Sequence, residues 1–296
     1  MKKLAVIIIL NWNGWEDTVA CIESCRNLNY ADFRIVVVDN GSSDGSVKHL
    51  RERFPGLDMV QTGQNLGFAG GNNAGIRFAL ELGAEYIWLL NNDTIVDANA
   101  LTAMIDALEQ HGDVSIGVSK IYYFDKPEII WFAGGTWTPA QYYAIHRGLD
   151  EEDTGQYSSP VESDFATGCS LLFKVGLIAE IGYLREDYFL YWEDLDWSIA
   201  ARARGGKILY IPESEVWHKV SRSTENYSFV QNYYYFRSGL LFYSRHAPGA
   251  IFRFAAIHLV YAVNQYFHGM KNRLPGYAAG LKDFVLRRFG RREGLQ

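Results

Sequence analysis

The stretch Leu4-Ala-Val-Ile-Ile-Ile-Leu10, followed at once by Asn11-Trp-Asn-Gly14, decides the fold that this sequence predicts. Seven consecutive apolar residues are typical of a strand buried on both faces, as strands are in a parallel sheet. The run is too short for a signal peptide, and no small-residue cleavage site follows it. Parallel strands need long crossover connections, so helices are expected between this strand and the next ones.

The same alternation continues to about residue 113. Strands are predicted at residues 4–10, 33–38, 57–61 and 86–90, and helices at 15–27, 46–54, 69–82 and 98–111. This order indicates an α/β fold, with a Rossmann-like, mostly parallel sheet flanked by helices. Ligands of such sheets bind outside the carboxyl ends of the strands.

Composition and charge narrow the class of protein. A chain of 296 residues with 48% hydrophobic residues can bury a full core. Its formal net charge of −6 argues against a nucleic-acid partner, because phosphate binding relies on clustered Lys and Arg. Its 3 Cys have no framework spacing and indicate thiols in a reducing, cytoplasmic environment.

Polar and glycine-rich loops follow the predicted strands. Residues 65–73, Asn-Leu-Gly-Phe-Ala-Gly-Gly-Asn-Asn, open a helix with glycines that allow a phosphate to approach the backbone. No GxGxxG follows the first strand and no GxxxxGK[ST] occurs, which argues against dinucleotide dehydrogenases and P-loop enzymes. A nucleotide site of another kind is expected at this edge. Its candidate donor-binding residues are Asn11, Asn13, Asp39, Asn65, Gly67, Asn72 and Asn92.

Three carboxylates are crowded among aromatic residues in Tyr188-Phe-Leu-Tyr-Trp-Glu-Asp-Leu-Asp196, at the start of a predicted helix. Acids in a first helical turn suit the helix dipole, so an ordinary N-terminal cap explains part of the pattern. The aromatic neighbours would partly desolvate these acids, raise their basicity and suit them to general-base catalysis.

Residues 226–296 are predicted to be helical and rich in aromatics. Between residues 280 and 292 stand five basic residues and one acid. Two interpretations of this C-terminal region stay open, namely a helix lying on an anionic membrane surface and helices packed against the main domain.

With these residues in view, the chain resembles the inverting nucleotide-sugar glycosyltransferases of family 2, and most closely the bacterial rhamnosyltransferase-like branch. The motifs that carry the resemblance are Val37-Val-Asp-Asn-Gly-Ser-Ser-Asp-Gly45, Asn65-Leu-Gly-Phe-Ala-Gly-Gly-Asn72, Leu89-Leu-Asn-Asn-Asp-Thr94, Thr167-Gly-Cys-Ser-Leu-Leu172, Phe189-Leu-Tyr-Trp-Glu-Asp-Leu-Asp196 and Trp217-His218. The resemblance implies a GT-A fold, a nucleoside-diphosphate sugar donor, and Mn²⁺ or Mg²⁺ on the diphosphate.

The resemblance also implies roles for single residues. Asp39 is similar in position to the residue that contacts the nucleobase or ribose. Asp93 corresponds to the last acid of the DxD metal motif and His218 to a further metal or diphosphate ligand, whereas the first DxD position is the weaker ligand Asn91. The implied general base is Asp194. The remaining candidates are Glu193 as a catalytic neighbour and Trp192, Asp196 and Gly168 on the acceptor side.

The expected activity is that of a metal-dependent inverting hexosyltransferase, with dTDP-rhamnose as donor and a cell-surface or lipid-linked glycan as acceptor. Residues 1–225 would form the transferase domain, with a nucleotide half at 1–113 and an acceptor half at 114–225. The expected location is the cytoplasm or the inner face of the cell membrane. Two alternatives remain, a non-catalytic sugar- or nucleotide-binding scaffold at the membrane and a sugar-1-phosphate nucleotidyltransferase. The transferase hypothesis requires Asp194 and Asp93 to reach one cleft.

Overall fold

A computed structural model of the chain describes residues 3–140, 143–220, 228–269 and 271–295. Its first part alternates strands and helices within a few residues of the predicted bounds. The strands are β1 (Ala5–Asn11), β2 (Phe33–Asp39), β3 (Asp58–Gln61), β4 (Tyr86–Asn91) and the short β5 (Thr94–Val96). The helices are α1 (Trp15–Cys25), α2 (Ser46–Arg53), α3 (Gly67–Glu81) and α4 (Ala100–Gln110).

The second part adds strands, two helices over the sheet and a helical C-terminal region. The strands are β6 (Val114–Tyr123), β7 (Lys126–Phe132), β8 (Gly135–Thr136), β9 (Ile145–His146), β10 (Val161–Ser163), β11 (Ser170–Lys174) and β12 (Lys207–His218). The helices are α5 (Gly176–Ile181), α6 (Glu193–Ala203), α7 (Phe229–His246), α8 (Ile251–Phe267) and α9 (Arg273–Val285), with a 3₁₀ turn, Pro248–Ala250, between α7 and α8.

The main sheet is mixed, with the strand order β10-β12-β6-β11-β4-β1-β2-β3. The pairs among β1, β2, β3 and β4 are parallel, as predicted, whereas β11 runs antiparallel between β4 and β6. Asn11 is in register with Asp39, and Leu10 with Asn91. The carboxyl ends of β1, β2 and β4 therefore bring these polar side chains to one edge of the sheet.

Helix α3 lies unusually close to the sheet because glycines face it. A Cβ on Gly71 would stand 2.4 Å from Leu10 Cδ1, and one on Gly75 would stand 2.6 Å from Ile8 Cγ2. Since real Cβ atoms do not approach other atoms so closely, any larger residue would push the helix outward. The glycines thus fix the height of the α3 N-terminus above the carboxyl edge of the sheet.

The first C-terminal helix is part of the core. Phe236, Leu240, Phe242 and Tyr243 of α7 are buried in the same apolar cluster as the strands. Packing against the main domain is thus the interpretation that holds for α7. The predicted boundary at residues 225 and 226 lies outside the described residues. No helix in the described ranges combines the length and hydropathy needed to cross a bilayer.

Candidate active site

A cavity of about 750 Å³ lies between the carboxyl end of the sheet, the start of α6 and the C-terminal helices. Five of the residues singled out in the sequence line it, together with Asn91 at the end of β4. These five are Gly168, Trp192, Glu193, Asp194 and His218. Glu193, Asp194 and the end of β12 therefore share one cleft.

Asp194 is held by backbone amides from two segments. Gly168 N–H donates to Oδ2 at 2.8 Å, and Leu195 N–H donates to Oδ1 at 2.8 Å. Burial raises the pKa of the Asp194 carboxyl above its ordinary value, although both amide hydrogen bonds act in the opposite direction. The result is an oriented carboxylate on the cavity wall that accepts a proton more readily than an exposed aspartate does.

Glu193, its neighbour, is only 4% exposed. Within the described part of the chain, its Oε2 atom has no hydrogen-bond partner. Burial, and then the charge of Asp194, raise the pKa of Glu193 to about 8. At neutral pH this side chain is therefore mainly a protonated acid, which can donate a hydrogen bond to a group in the cavity.

The backbone that delivers these acids is strained. Phe189, Tyr191 and Trp192 have φ values of +65°, +68° and +76°, in the left-handed region that favours glycine. Non-glycine residues persist there only when the surrounding structure holds them, and they concentrate at functional sites. The loop of residues 188–192 therefore has a strained backbone conformation next to the cavity.

Two helices hold this loop. The N-terminus of α3 reaches it because Phe68 N–H donates to Phe189 O at 2.7 Å. From α7, Arg237 Nη2 donates to Tyr188 O at 2.6 Å, and Ser238 Oγ lies 3.0 Å from the carbonyl oxygens of both Tyr188 and Leu190. Gly67 allows the close contact of α3 with this loop, because a Cβ at this position would stand only 2.2 Å from Phe189 O.

The two predicted metal ligands stand together, Asp93 between β4 and β5 and His218 at the end of β12. His218 Nε2 lies 3.1 Å from Asp93 Oδ1. Burial alone would lower the pKa of the His218 imidazole. The neighbouring Cys169 sulfur and Asp93 carboxylate have a larger combined effect, so the pKa of His218 is raised above its ordinary value. No group of three or more His, Cys, Asp or Glu in the described residues could hold a metal ion. This pair fits a divalent cation whose other ligands come from a diphosphate and water.

Other predicted donor-binding residues form a network beside the cavity rather than in its wall. Asn11 Nδ2 donates to Asp39 Oδ1 at 3.1 Å. Ser43 N–H donates to Asn13 Oδ1 at 2.8 Å, and Asn92 Nδ2 donates to Gly14 O at 3.2 Å. These bonds tie together the loops after β1, β2 and β4. Nucleotide binding by Asn11, Asn13, Asp39 and Asn92 stays a prediction.

The structure does not bring Asn65, Asn72 or Asp196 to the cavity wall. Asn65 Oδ1 accepts from Gly67 N–H at 2.8 Å, and Asn72 Nδ2 donates to Phe68 O at 3.0 Å within α3. Asp196 Oδ1 accepts from the Tyr188 hydroxyl at 2.8 Å and lies 2.7 Å from His246 Nε2. Its bonds join α6 to α7, although the sequence suggested contact with an acceptor.

Several cavity residues were not singled out from the sequence. Trp131 and His146 come from the β7–β9 region, and burial lowers the pKa of His146 to about 4, so it is neutral near pH 7. The C-terminal helices also supply part of the wall. Their cavity residues include Tyr235, His258, Tyr261, Arg273 and Tyr277. The aromatic density of residues 233–243 was visible in the sequence, but nothing there indicated that these helices close the site.

Comparison with known proteins identifies the family. The model of glycosyl transferase family 2 matches residues 6–182. A low-salt glycan biosynthesis hexosyltransferase, Agl10 of Haloferax volcanii, is 29% identical over 66% of this chain and 61% of its own length. An N-acetylglucosaminyl-diphospho-decaprenol L-rhamnosyltransferase of Mycobacterium tuberculosis is 24% identical, over 64% of this chain and 67% of its own. The dTDP-rhamnosyl transferase RfbF of Shigella flexneri is 22% identical over 72% of both chains.

Solved structures are similar in fold at low sequence identity. The structure of GalNAc-T7 with UDP, GalNAc and Mn²⁺ aligns with a TM-score of 0.63 and 14% sequence identity. The alignment covers 96% of this chain and 56% of the GalNAc-T7 chain. The mannosyltransferase PcManGT of Pyrobaculum calidifontis, in complex with GDP-Man and Mn²⁺, has a TM-score of 0.57 and 16% identity. This alignment covers 97% of this chain and 76% of the PcManGT chain. The chain belongs to glycosyl transferase family 2 and has the GT-A fold.

Proposed function

We propose that this protein is an inverting glycosyltransferase working at the inner face of the cell membrane. Its donor is a nucleoside-diphosphate sugar, with dTDP-rhamnose favoured by the rhamnosyltransferases among its relatives. Its acceptor is a hydroxyl of a cell-surface or lipid-linked glycan. Because the matched region spans only 61% of the hexosyltransferase Agl10, we take from the relatives the reaction class and the favoured donor only.

The observation that carries the proposal is that Asp194 and His218 line the same cavity. Asp194 takes the proton from an acceptor hydroxyl, whose oxygen then attacks the anomeric carbon of the donor. The bond from that carbon to the diphosphate oxygen breaks on the opposite face, and the diphosphate leaves with the bonding electrons. One displacement inverts the anomeric centre, so a single base is sufficient.

Neighbouring groups orient this base. The amides of Gly168 and Leu195 fix both carboxylate oxygens, so Asp194 needs no reorganisation when the proton arrives. Glu193, with its raised pKa, donates a hydrogen bond to a sugar hydroxyl. Trp192 forms part of the cavity wall and excludes water from one side.

Asp93 and His218 would hold the divalent cation. The Mn²⁺ in both similar structures supports a metal of this kind. When bound, such an ion neutralises charge that builds up on the leaving diphosphate. With Asn91 in place of an aspartate, the protein supplies one carboxylate less than a DxD motif does, so the ion should bind weakly without the donor diphosphate.

Release of nucleoside diphosphate tests the proposal. The full chain would be incubated with acceptor, with Mn²⁺ or EDTA, and with dTDP-rhamnose or UDP-linked glucose, galactose or N-acetylglucosamine. Asp194→Asn should retain donor binding and lose turnover by on the order of 10³-fold, because the amide cannot take the proton. The exposed Asp113, which pairs with Lys207, supplies the matched control Asp113→Asn, expected to be fully active.

Three outcomes would overturn the proposal in different ways. Near-normal turnover by Asp194→Asn removes that residue as the base. Donor binding without release of any nucleoside diphosphate favours the scaffold. Production of pyrophosphate from a sugar-1-phosphate and a nucleoside triphosphate identifies a nucleotidyltransferase instead.

A further inference from the structure

The outward side of α8 is apolar along its whole length. Phe252, Ala256, Val260, Val263 and Phe267 recur every three or four residues and so share one side of the helix. Phe252 is 84% exposed, Val260 70% and Phe267 80%. We name these five residues the α8 stripe.

The opposite side of α8 is the one that contacts the protein. Phe254 and Ala262 are buried there, and His258 and Tyr261 line the cavity. A helix on the surface of a water-soluble protein normally turns a polar side outward, whereas α8 has apolar residues on both its inward and its outward side. A continuous exposed apolar surface of this kind marks an interaction site.

Charge identifies the kind of partner. Residues 226–296 contain ten basic residues (Lys and Arg) and two acidic residues, which gives a net charge of +8. Residues 1–225 contain 18 basic and 32 acidic residues, which gives a net charge of −14. Residues 226–282 contain no Asp or Glu. Arg253, next to Phe252, and Lys271, just beyond the end of α8, are exposed. Apolar side chains flanked by cations suit an anionic lipid surface.

We propose that α8 lies in the plane of an anionic bilayer, with the α8 stripe among the upper acyl chains. Its 17 residues give a length of about 25 Å, enough for an interfacial helix. A second copy of the chain is a poorer partner, because a two-fold symmetric contact would bring two regions of net charge +8 together.

This placement has a consequence that rests on the proposed function. Since His258 and Tyr261 belong to the same helix, the bilayer would lie within one helix diameter of the cavity wall. An acceptor anchored in the membrane by a lipid could then present its sugar to the cavity while its chain stays in the bilayer. The acceptor class that fits this placement is a lipid-linked glycan.

Vesicle co-sedimentation tests the surface without requiring catalysis. The full chain should bind vesicles that contain phosphatidylglycerol, bind phosphatidylcholine vesicles far less, and dissociate as salt is raised. The double variant Phe252→Ser/Phe267→Ser should weaken binding at least about tenfold. The matched control is Phe124→Ser, which changes a phenylalanine that is 41% exposed between β6 and β7.

Arg253→Gln/Lys271→Gln supplies a second, purely electrostatic variant and should weaken binding to the anionic vesicles only. Thermal unfolding of each variant checks the fold. Equal binding by the wild type and both double variants would overturn the proposal. The proposal would also be overturned if the wild type formed a dimer, detected by light scattering, and bound no vesicles, while the Phe252→Ser/Phe267→Ser variant were a monomer. Release of nucleoside diphosphate in detergent, measured in parallel, reports separately on the transferase reaction.

Discussion

At the scale of single residues, Gly67 and Gly63 offer a clean comparison. Both have a φ of +74°, but a Cβ on Gly67 would lie 2.2 Å from Phe189 O, whereas a Cβ on Gly63 would meet no atom of the described residues within 4 Å. Gly63→Ala should cost roughly 1–2 kcal/mol of unfolding free energy, from the left-handed backbone alone.

Gly67→Ala should cost at least ~2 kcal/mol more, because the loop of residues 188–192 must move away. It should also lower turnover, since that loop leads directly into Glu193 and Asp194 at the start of α6. Urea unfolding and steady-state kinetics on both variants provide the measurement. Equal losses of stability would show that the contact with Phe189 is unimportant.

Glu193 predicts a pH dependence of stability. Because its pKa is raised to about 8, the folded protein keeps a proton that the unfolded chain releases near its ordinary value of 4.5. The stabilisation from that proton is complete below the ordinary pKa and is lost as pH rises through about 8. Glu193→Gln should therefore lose less unfolding free energy than the wild type between pH 5 and 9.

Urea unfolding across that pH range checks the Glu193 prediction. The exposed Glu180 gives the control, since Glu180→Gln should follow the wild-type curve. Parallel curves for the wild type and Glu193→Gln would contradict it.

The acidic cluster could be predicted from the sequence, but the direction in which each acidic side chain points could not. Successive helical positions turn by 100°, so Asp194 and Asp196 point about 200° apart. Asp194 consequently lies on the cavity wall, while Asp196 binds Tyr188 and His246. Which side of α6 would face the cavity depends on how α7 packs, and spacing along the chain does not contain that information.

At the scale of elements, α7 acts as the support of the strained loop. Ser238 lies on α7 with its side chain fully buried, and its hydroxyl contacts the carbonyls of Tyr188 and Leu190. Ser238→Ala should cost about 1–2 kcal/mol of stability and reduce kcat roughly tenfold, because the loop loses an anchor next to Glu193.

Ser244→Ala is the matched control for Ser238→Ala. Ser244 lies on the same helix, but among the described residues its hydroxyl donates to Leu241 O within α7 and not to the loop. Urea unfolding and the nucleoside diphosphate assay measure both variants. A similar loss of kcat in the two would mean that α7 acts through general stability rather than through the loop.

The alternating elements of residues 4–111 could be predicted because each carries its own periodicity. Strand β6 could not, since Ser119 and Lys120 interrupt its apolar pattern. Both are buried with partners that are distant in sequence, Ser119 with Ser170 and Ser214, and Lys120 with Asp153. Polar residues satisfied in this way look like loop residues until the tertiary contacts are known.

At the scale of the whole molecule, we expect α7 to be required for the fold. Four large side chains of α7 are buried in the main core, and burial of each contributes about 1.5–3 kcal/mol. Their sum is comparable with the total stability of a typical domain, about 5–15 kcal/mol. A chain ending at residue 220 should therefore lack cooperative unfolding and a near-ultraviolet circular dichroism signal.

A chain ending at residue 290 is the control for that truncation, and it should unfold cooperatively. Soluble yield and thermal scans on both chains give the comparison. Cooperative unfolding of the shorter chain would support an independent domain of residues 1–225, as the sequence first suggested.

The three left-handed residues before Glu193 also bear on how the enzyme is made. A ribosome synthesises every motif of the sheet before residues 229–246. Without α7, the loop lacks the bonds that hold it in this costly conformation, and the acids have no fixed direction. Activity should therefore appear late and abruptly during synthesis, so that a partly made chain does not consume activated sugar.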